Sequence, residues 1–107
     1  MGKSRIKVPN EIKIGVHAYG VEYNPHLWME EELKGSANHI SQKIQIEPAL
    51  AKSQQDVTFL HEVLHIINDQ YRLRLSDDDV DRIANGWADF LFNNLQIEFD
   101  WSDIIPL

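Results

Sequence analysis

The sequence predicts an α+β fold, because its apolar residues repeat at strand spacing in the first half and at helix spacing in the second. Pro, Gly and Asn separate the short strand-like runs, and acidic or hydroxyl residues precede the two helix-like runs. The chain has 107 residues, enough for one modest core. We therefore expect a single domain over 1–107, with strands mainly in 1–48, a first helix over 53–71, a second over 76–94 and a tail over 95–107.

Composition excludes several kinds of site and location. The chain has no cysteine, which excludes disulfides and thiolate metal ligands. Its formal net charge of -7 disfavours direct binding to nucleic acid, which uses Lys and Arg to neutralise phosphates. The residues of 1–8 are basic but lack the apolar segment of a signal peptide, and no run approaches the length of a membrane span. We therefore expect a cytoplasmic protein that contacts neither membrane nor nucleic acid.

The amino-terminal residues predict short strands. Basic side chains within 3–13 alternate with apolar ones, which is typical of a solvated strand face. The stretches 11–15 and 19–23 also predict strands, and residues 15–18 between them form either a hairpin turn or part of one long bent strand. This part of the chain is expected to contribute a small antiparallel sheet.

A further strand is expected directly before the first long helix. Breaks at Pro25 and Gly35 enclose residues 26–33, which predict one or two helical turns. The following run, 39–46, alternates apolar and polar residues, and Pro48 after it cannot donate to a central ladder. We therefore expect 39–46 to lie near the edge of the sheet. Its apolar face comprises Ile40, Ile44 and Ile46.

The first long helix is predicted by its cap and its apolar spacing. Ser53 followed by Asp56 resembles a capping box, which favours a helix start, and apolar side chains then recur at helical spacing as far as Tyr71. The apolar stripe consists of Leu60, Leu64, Ile67 and Tyr71, widened by Val63 and Ile66. The histidine after each stripe leucine therefore lies at the border of the buried face, where a metal ion is partly shielded from water.

His61, Glu62 and His65 on this helix form the pattern HExxH. Residues four apart lie on the same side of a helix, so both imidazoles can reach one metal ion, and Glu62 projects beside them. Zinc lowers the pKa of a bound water to about 7, and a neighbouring carboxylate can take the proton as a carbonyl is attacked. The pattern therefore predicts a Zn²⁺-dependent hydrolase of amide bonds with Glu62 as the catalytic base.

A catalytic zinc takes three protein ligands, so the third is expected downstream. Ser76 is a good N-cap, and the aspartates of 77–79 lie in the first helical turn, where the helix dipole favours acidic residues without a metal. Asp81 lies beyond that turn, and the small residues Ala84 and Ala88 on its side of the helix allow another helix to approach closely. We therefore predict Asp81 as the third ligand. It borders an apolar stripe of Val80, Ile83, Trp87 and Leu91.

Alternatives to this ligand remain open. Asp77, one turn earlier on the same side, and Asp78 are the other candidate ligands. Asp81 is otherwise explained as a solvated residue paired with Arg82 or Lys52. In each zinc-binding case the fourth position is expected to hold water.

The sequence of 61–67 and 78–91 resembles the small HExxH proteins of phages and mobile elements, distant relatives of the ImmA/IrrE metallopeptidases. Members of that family carry a glutamate three residues before the alanine of an Ala-Asn pair, and Asp81, shorter by one methylene, has this place before Ala84 and Asn85. The resemblance implies a minimal zincin fold, with a small sheet and two or three helices. It also implies a metallopeptidase, and some members of the family cleave a repressor.

The resemblance also implies how a substrate binds. In zincins generally, the strand that borders the cleft takes a peptide as an added antiparallel strand, and 39–46 has that place here. Asn38, His39 and Tyr71 are candidates for polarising the carbonyl of the substrate. They are more simply explained as a turn residue, a surface polar residue and a core aromatic at the helix end, respectively.

The tail over 95–107 is apolar enough to dock, because leaving a large apolar side chain in water costs roughly 1.5–3 kcal/mol. Three placements of the tail are consistent with the sequence: over the core of its own domain, on a partner subunit, or across the substrate cleft as a lid. The oligomeric state is not predicted.

Two functions are consistent with these patterns. The first is a zinc metallopeptidase acting on an extended protein segment, and the second is a non-catalytic, zinc-stabilised module that binds a protein partner as an antirepressor does. Glu62 favours the peptidase, because a structural zinc site does not require an unligated carboxylate beside the metal.

Overall fold

Strands occupy most of the first half of the chain and helices most of the second, which gives an α+β fold. The computed structural model describes residues 2–105. Its strands are β1 (Ser4–Lys7), β2 (Glu11–Ile14), β3 (His17–Tyr23), β4 (Gly35–Asn38), β5 (Lys43–Ile46) and β6 (Ile97–Asp100). Its helices are α1 (Leu27–Glu31), α2 (Lys52–Gln70) and α3 (Asp77–Ala88), and α3 continues as a π-helical segment over Asp89–Asn94.

The strands form two sheets, and both contain a parallel pair. The larger sheet has the order β2-β3-β5-β4, in which β3 and β5 are parallel, and the smaller sheet pairs β1 with β6 in parallel. The expectation of a small antiparallel sheet is therefore confirmed for the pairs β2–β3 and β4–β5 and wrong for β3–β5 and β1–β6. The reason is the connection after β3, which passes through α1 and β4 before β5 returns beside β3, and a parallel pair requires such a long crossover.

Strand β4 lies at one edge of the larger sheet and β2 at the other. The expected strand over 39–46 was wrong in its first half. Residues 39–42 form the turn between β4 and β5. The side-chain oxygen of Asn38 accepts hydrogen bonds from the backbone N–H of Ile40 and Ser41 at 2.8 and 3.0 Å, so local bonds fix a turn. Ile40 is consequently 97% exposed. Gly35, expected to be a break, is the first residue of β4.

The predicted hairpin between β2 and β3 is present. The strands are antiparallel, with Ile14 opposite His17, and the two residues Gly15 and Val16 form the turn. Gly15 has a φ of 63°, a left-handed conformation that glycine adopts without steric cost. The alternative of one long bent strand is therefore wrong.

Helix α2 begins and ends differently from the expectation. Its N-cap is Ala51, which has no capping side chain, so the expected capping box of Ser53 and Asp56 is absent. The carboxylate of Asp56 is buried and instead bonds Lys52 Nζ at 3.0 Å and the indole N–H of Trp101 at 2.7 Å. Tyr71, expected in the core, is the C-cap and is exposed because the helix ends there.

Helix α3 begins with the predicted cap. The Ser76 side chain accepts from the backbone N–H of Asp79, whose carboxylate accepts from the Ser76 N–H. The buried residues are Val80, Ala84 and Ala88, and α3 packs against α2. Trp87 was expected in this contact, but it is 54% exposed and contacts Phe90 instead. The small alanines form the buried side of α3, which leaves the indole facing solvent.

The tail docks on its own domain. Strand β6 pairs with β1, and Trp101 stacks on Tyr23 with ring centroids 5.7 Å apart and meets Phe59 edge-on at 5.5 Å. Ile104 joins the core. Residues 106 and 107 of the tail lie outside the described residues. The core between the larger sheet and α2 comprises Val8, Tyr19, Val21, Ile44, Ile46, Phe59, Ile66 and Ile104.

Across residues 2–105, none of the helices combines the length and the hydropathy that crossing a membrane requires.

Candidate functional site

The two histidines of the HExxH pattern face each other on the middle of α2. Their Nε2 atoms lie 2.9 Å apart, and the rings meet at 72° with centroids separated by 4.6 Å. The i, i+4 spacing on a regular helix produces this contact, as the sequence predicted. Burial, followed by the neighbouring His65, lowers the pKa of His61 below its ordinary value. A neutral imidazole offers a nitrogen lone pair, which is what a metal ligand requires.

The geometry of this pair is close to that of two zinc ligands. Tetrahedral zinc with Zn–N bonds of about 2.0 Å holds two such nitrogens about 3.3 Å apart. The Nε2 atoms of His61 and His65, at 2.9 Å, therefore need to separate by only a few tenths of an ångström. A small rotation of either side chain suffices, since both rings are only partly buried.

Asp81 approaches the same histidine from α3, but on the other side of the ring. Its Oδ1 lies 3.5 Å from Nδ1 of His61, whereas Nε2 of His61 faces His65. Within residues 2–105, no three His, Asp or Glu side chains already converge as a metal site. The Asp81 side chain is 63% exposed, and its carboxylate contacts the Nδ1 side of His61. The two imidazoles therefore have the donor chemistry of zinc ligands, and Asp81 does not join them on the Nε2 side in this structure.

The other aspartates are less well placed. Asp77 acts on His61 only as a nearby charge that raises its pKa, behind Asp81 in strength. Lys52, considered as a partner of Asp81, pairs with Asp56 instead. Asp81 is therefore the aspartate that directly contacts a histidine of the motif.

Glu62 is buried beside the histidines. The residue is 8% exposed, and no hydrogen bond or ion pair within residues 2–105 engages its carboxylate. Burial raises the pKa of Glu62 to about 7. Burying a carboxylate without a hydrogen-bonding partner costs free energy, and a purely structural residue gains nothing in return. A general base is most effective when its pKa lies near the working pH, which is the case for Glu62.

Gly35 on the edge strand allows α2 to come this close. A β-carbon at Gly35 would lie 2.6 Å from Thr58 Cγ2, 3.1 Å from the backbone oxygen of Gln45 and 3.3 Å from Glu62 Cγ. No side chain fits in this gap. Strand β4 and the middle of α2 are therefore in direct contact, and the free edge of the sheet lies next to Glu62.

A cleft of about 660 Å³ opens at this contact. Its floor includes His61, Glu62 and Asp81, and Gly35 brings the edge strand to its wall. The remaining lining residues are Trp28, Glu32, Leu33, Lys34, Ser53, Gln54, Val57, Thr58 and Asn85. His65 does not line the cleft and contacts it only through His61. The cleft thus joins a buried carboxylate, one imidazole of the pair and an edge strand.

The residues considered for polarising a carbonyl lie elsewhere. Asn38 holds the β4–β5 turn, and Tyr71 caps α2. His39 contacts Asp69, with Nε2 and Oδ2 2.5 Å apart, and its Nδ1 lies 3.1 Å from the hydroxyl of Tyr19. None of the three lines the cleft.

Sequence reasoning missed the wall of the cleft that follows α1. Trp28 and Leu33 belong to a segment interpreted only as one or two helical turns, and Gly35 was interpreted as a break. A glycine before an alternating run was the one available signal for β4, because a strand that a helix approaches closely favours glycine.

Comparison with protein-family models, with curated proteins and with solved structures finds no match to this chain. The resemblance to the ImmA/IrrE family therefore rests on the HExxH motif and on the residues around Asp81.

Proposed function

We propose that this protein is a zinc-dependent metallopeptidase that hydrolyses a peptide bond in an extended segment of another protein. The observation that carries the proposal is the state of Glu62, a buried and unpartnered carboxylate with a pKa raised to about 7, in an open cleft that also contains His61 of the imidazole pair. A structural site has no use for such a carboxylate, whereas hydrolysis needs a base at this place.

Different residues would bind the metal and transfer the proton. His61, His65 and Asp81 would hold Zn²⁺, which when bound would polarise the scissile carbonyl and acidify an attacking water. Glu62 takes a proton from that water on its carboxylate and then delivers it to the nitrogen of the leaving amine. Burial of most of the Glu62 side chain raises the pKa of its carboxyl group, while its place in the lining of the cleft lets a water reach it.

The substrate lies along β4 in this proposal. The outer edge of β4 has no neighbour in the sheet, so its backbone groups can pair with an extended peptide. This replaces the expected docking strand over 39–46, half of which is a turn. The minimal zincin architecture and a regulatory protein of a mobile element as substrate, such as a repressor, belong to the proposal through the ImmA/IrrE resemblance.

A second candidate is a non-catalytic binding module. The position of the Asp81 carboxylate favours it, because Oδ1 contacts Nδ1 of His61 and not the side shared with His65. In this case the protein would bind a partner through β4, with zinc or the Asp81–His61 contact joining the two helices, and would cleave nothing.

The test compares wild type with Glu62→Gln after zinc loading, on a library of internally quenched peptides. We expect both proteins to bind zinc equally, as measured by elemental analysis, and the variant to cleave at least about 100-fold more slowly. Equal processing by the two proteins, or no cleavage by zinc-loaded wild type, contradicts the peptidase and leaves the binding module.

A further inference from the structure

The lining of the cleft includes three apolar residues that the hydrolytic chemistry does not require. Trp28, Leu33 and Val57 line this wall and define the Trp28 cluster. Trp28 is 51% exposed, and Leu33 is also exposed. Exposed large apolar side chains that line a concave site are typical of surfaces that bind a ligand.

The backbone that carries Trp28 is anchored. Leu27, the residue before Trp28, is fully buried and anchors α1 in the protein. The backbone N–H of Trp28 donates to the buried carboxylate of Glu47 at 3.0 Å. Glu32 then takes a left-handed conformation, with a φ of 55°, that ends α1 and directs the chain into β4. The backbone of Trp28 is thus fixed, and its indole lines the same cleft as the first residue of the edge strand.

Charge in the cleft is mostly negative. Glu32, Glu62 and Asp81 line it, with Lys34 as the cation of the lining. Asp77 lies close enough to His61 to influence its pKa. A segment that carries acidic residues would therefore be repelled, and basic residues beside the bound segment would be attracted.

We infer that the Trp28 cluster is the specificity pocket of the cleft, and that it selects an extended peptide with a large apolar side chain flanked by basic residues. The inference rests on the proposed function for the place of the peptide on β4. The free edge fixes the backbone of the peptide, so one of its side chains points toward Trp28, where burying it stabilises the complex. Trp28 acts here as a specificity residue and takes no part in the chemistry.

The experiment measures binding and not turnover. The Glu62→Gln protein, kept free of zinc by a chelator so that the negative charges of Glu32 and Asp81 remain, is titrated into fluorescein-labelled capped heptapeptides, and polarisation reports the complex. The central residue is Phe or Ser, and the flanking residues are Lys or Glu. We expect the peptide with Phe and Lys to bind at least tenfold more tightly than each of the other three.

The matched variants are made in the same Glu62→Gln background. Trp28→Ala should lose about tenfold in affinity for the Phe peptide and nothing for the Ser peptide, while Trp28→Phe should keep most of the affinity. Trp87→Ala is the control, because Trp87 is equally exposed but lies on another surface. Circular dichroism verifies that each variant is folded.

The outcomes test the specificity pocket and the peptidase separately. Equal binding of Phe and Ser peptides, no binding of any peptide, or no effect of Trp28→Ala, overturns the specificity pocket. If the wild type still cleaves library peptides in that case, the proposed peptidase activity is supported and the specificity pocket is not. Selective binding that depends on Trp28, combined with no cleavage by zinc-loaded wild type, supports the pocket and overturns the peptidase.

Discussion

Gly35 and Thr58 lie so close together that a β-carbon on the glycine would come within 2.6 Å of the threonine Cγ2. This contact brings the edge strand β4 onto the turn of α2 that carries Glu62. The buried state of Glu62 therefore depends on the absence of a side chain at position 35, because Glu62 Cγ would lie 3.3 Å from that added carbon.

Gly35→Ala should destabilise the protein by about 1–3 kcal/mol, because either β4 or α2 must move to make room for the methyl group. Urea unfolding followed by circular dichroism measures the change. The control is Gly20→Ala in β3, where an added β-carbon meets no atom within 4 Å. Equal stability of the two variants would show that the contact with Thr58 tolerates a side chain.

Gly86→Ala should raise the free energy of unfolding by about 0.5–1 kcal/mol. Gly86 lies in the interior of α3, it is exposed, and an added β-carbon there meets no atom within 4 Å. Alanine loses less backbone freedom than glycine when a helix forms. The same urea titration measures this gain, and a loss of stability would mean that the surface around Trp87 and Phe90 needs the open space.

The stability of the metal-free protein should depend on the ionisation of Glu62. Its folded-state pKa of about 7 lies above the ordinary value of 4.5, so the folded state binds the proton more tightly than the unfolded state does. The contribution of Glu62 is fully present below a pH of about 4.5 and is lost as the pH rises to about 7. The expected loss is on the order of 3 kcal/mol.

The measurement compares wild type with Glu62→Gln in the presence of a chelator, at several pH values between 4 and 8. The variant cancels contributions that the two proteins share, including those of the five histidines. Wild type should become less stable relative to the variant as the pH rises. A difference that stays constant with pH would mean that the carboxyl group is solvated.

Zinc affinity should distinguish the aspartates. Asp81→Ala and His65→Ala should each weaken zinc binding by about 100-fold or more, since a missing ligand leaves an incomplete site. Asp77→Ala should change the affinity by less than about threefold, because Asp77 acts on His61 only through its charge. Isothermal titration calorimetry measures all three, and a larger effect of Asp77→Ala than of Asp81→Ala would move the ligand one turn earlier.

The parts of the site that depend on local helical spacing could be predicted from sequence. The contact between His61 and His65 follows from residues four apart on a helix, and the Ser76 cap follows from local hydrogen bonding. The fold class was accessible for the same reason, since strand and helix periods are properties of neighbouring residues.

The parts that depend on distant residues could not be predicted. The alternation over 39–46 indicated one strand at the edge of the sheet. Hydrogen bonds accepted by the Asn38 side chain instead form a turn, and β4 is the strand at that edge. Asp56 has the spacing of a capping residue. Its carboxylate is instead buried and accepts a hydrogen bond from the indole N–H of Trp101, 45 residues later. Neither the burial of Glu62 nor the place of Trp28 in the cleft is encoded in local spacing, since both arise where α1, β4 and α2 meet.

The parallel pairing of β1 with β6 determines when the protein can finish folding during synthesis. Ser4 pairs with Ile97, so β1 has no partner until the segment that separates it from β6 has been made. At roughly 5 to 20 residues per second, translation of the intervening segment takes about 5 to 20 seconds. Until then β1 is an unpaired strand, and its Arg5 and Lys7 are the kind of charged residues that keep such an edge from joining a neighbouring chain.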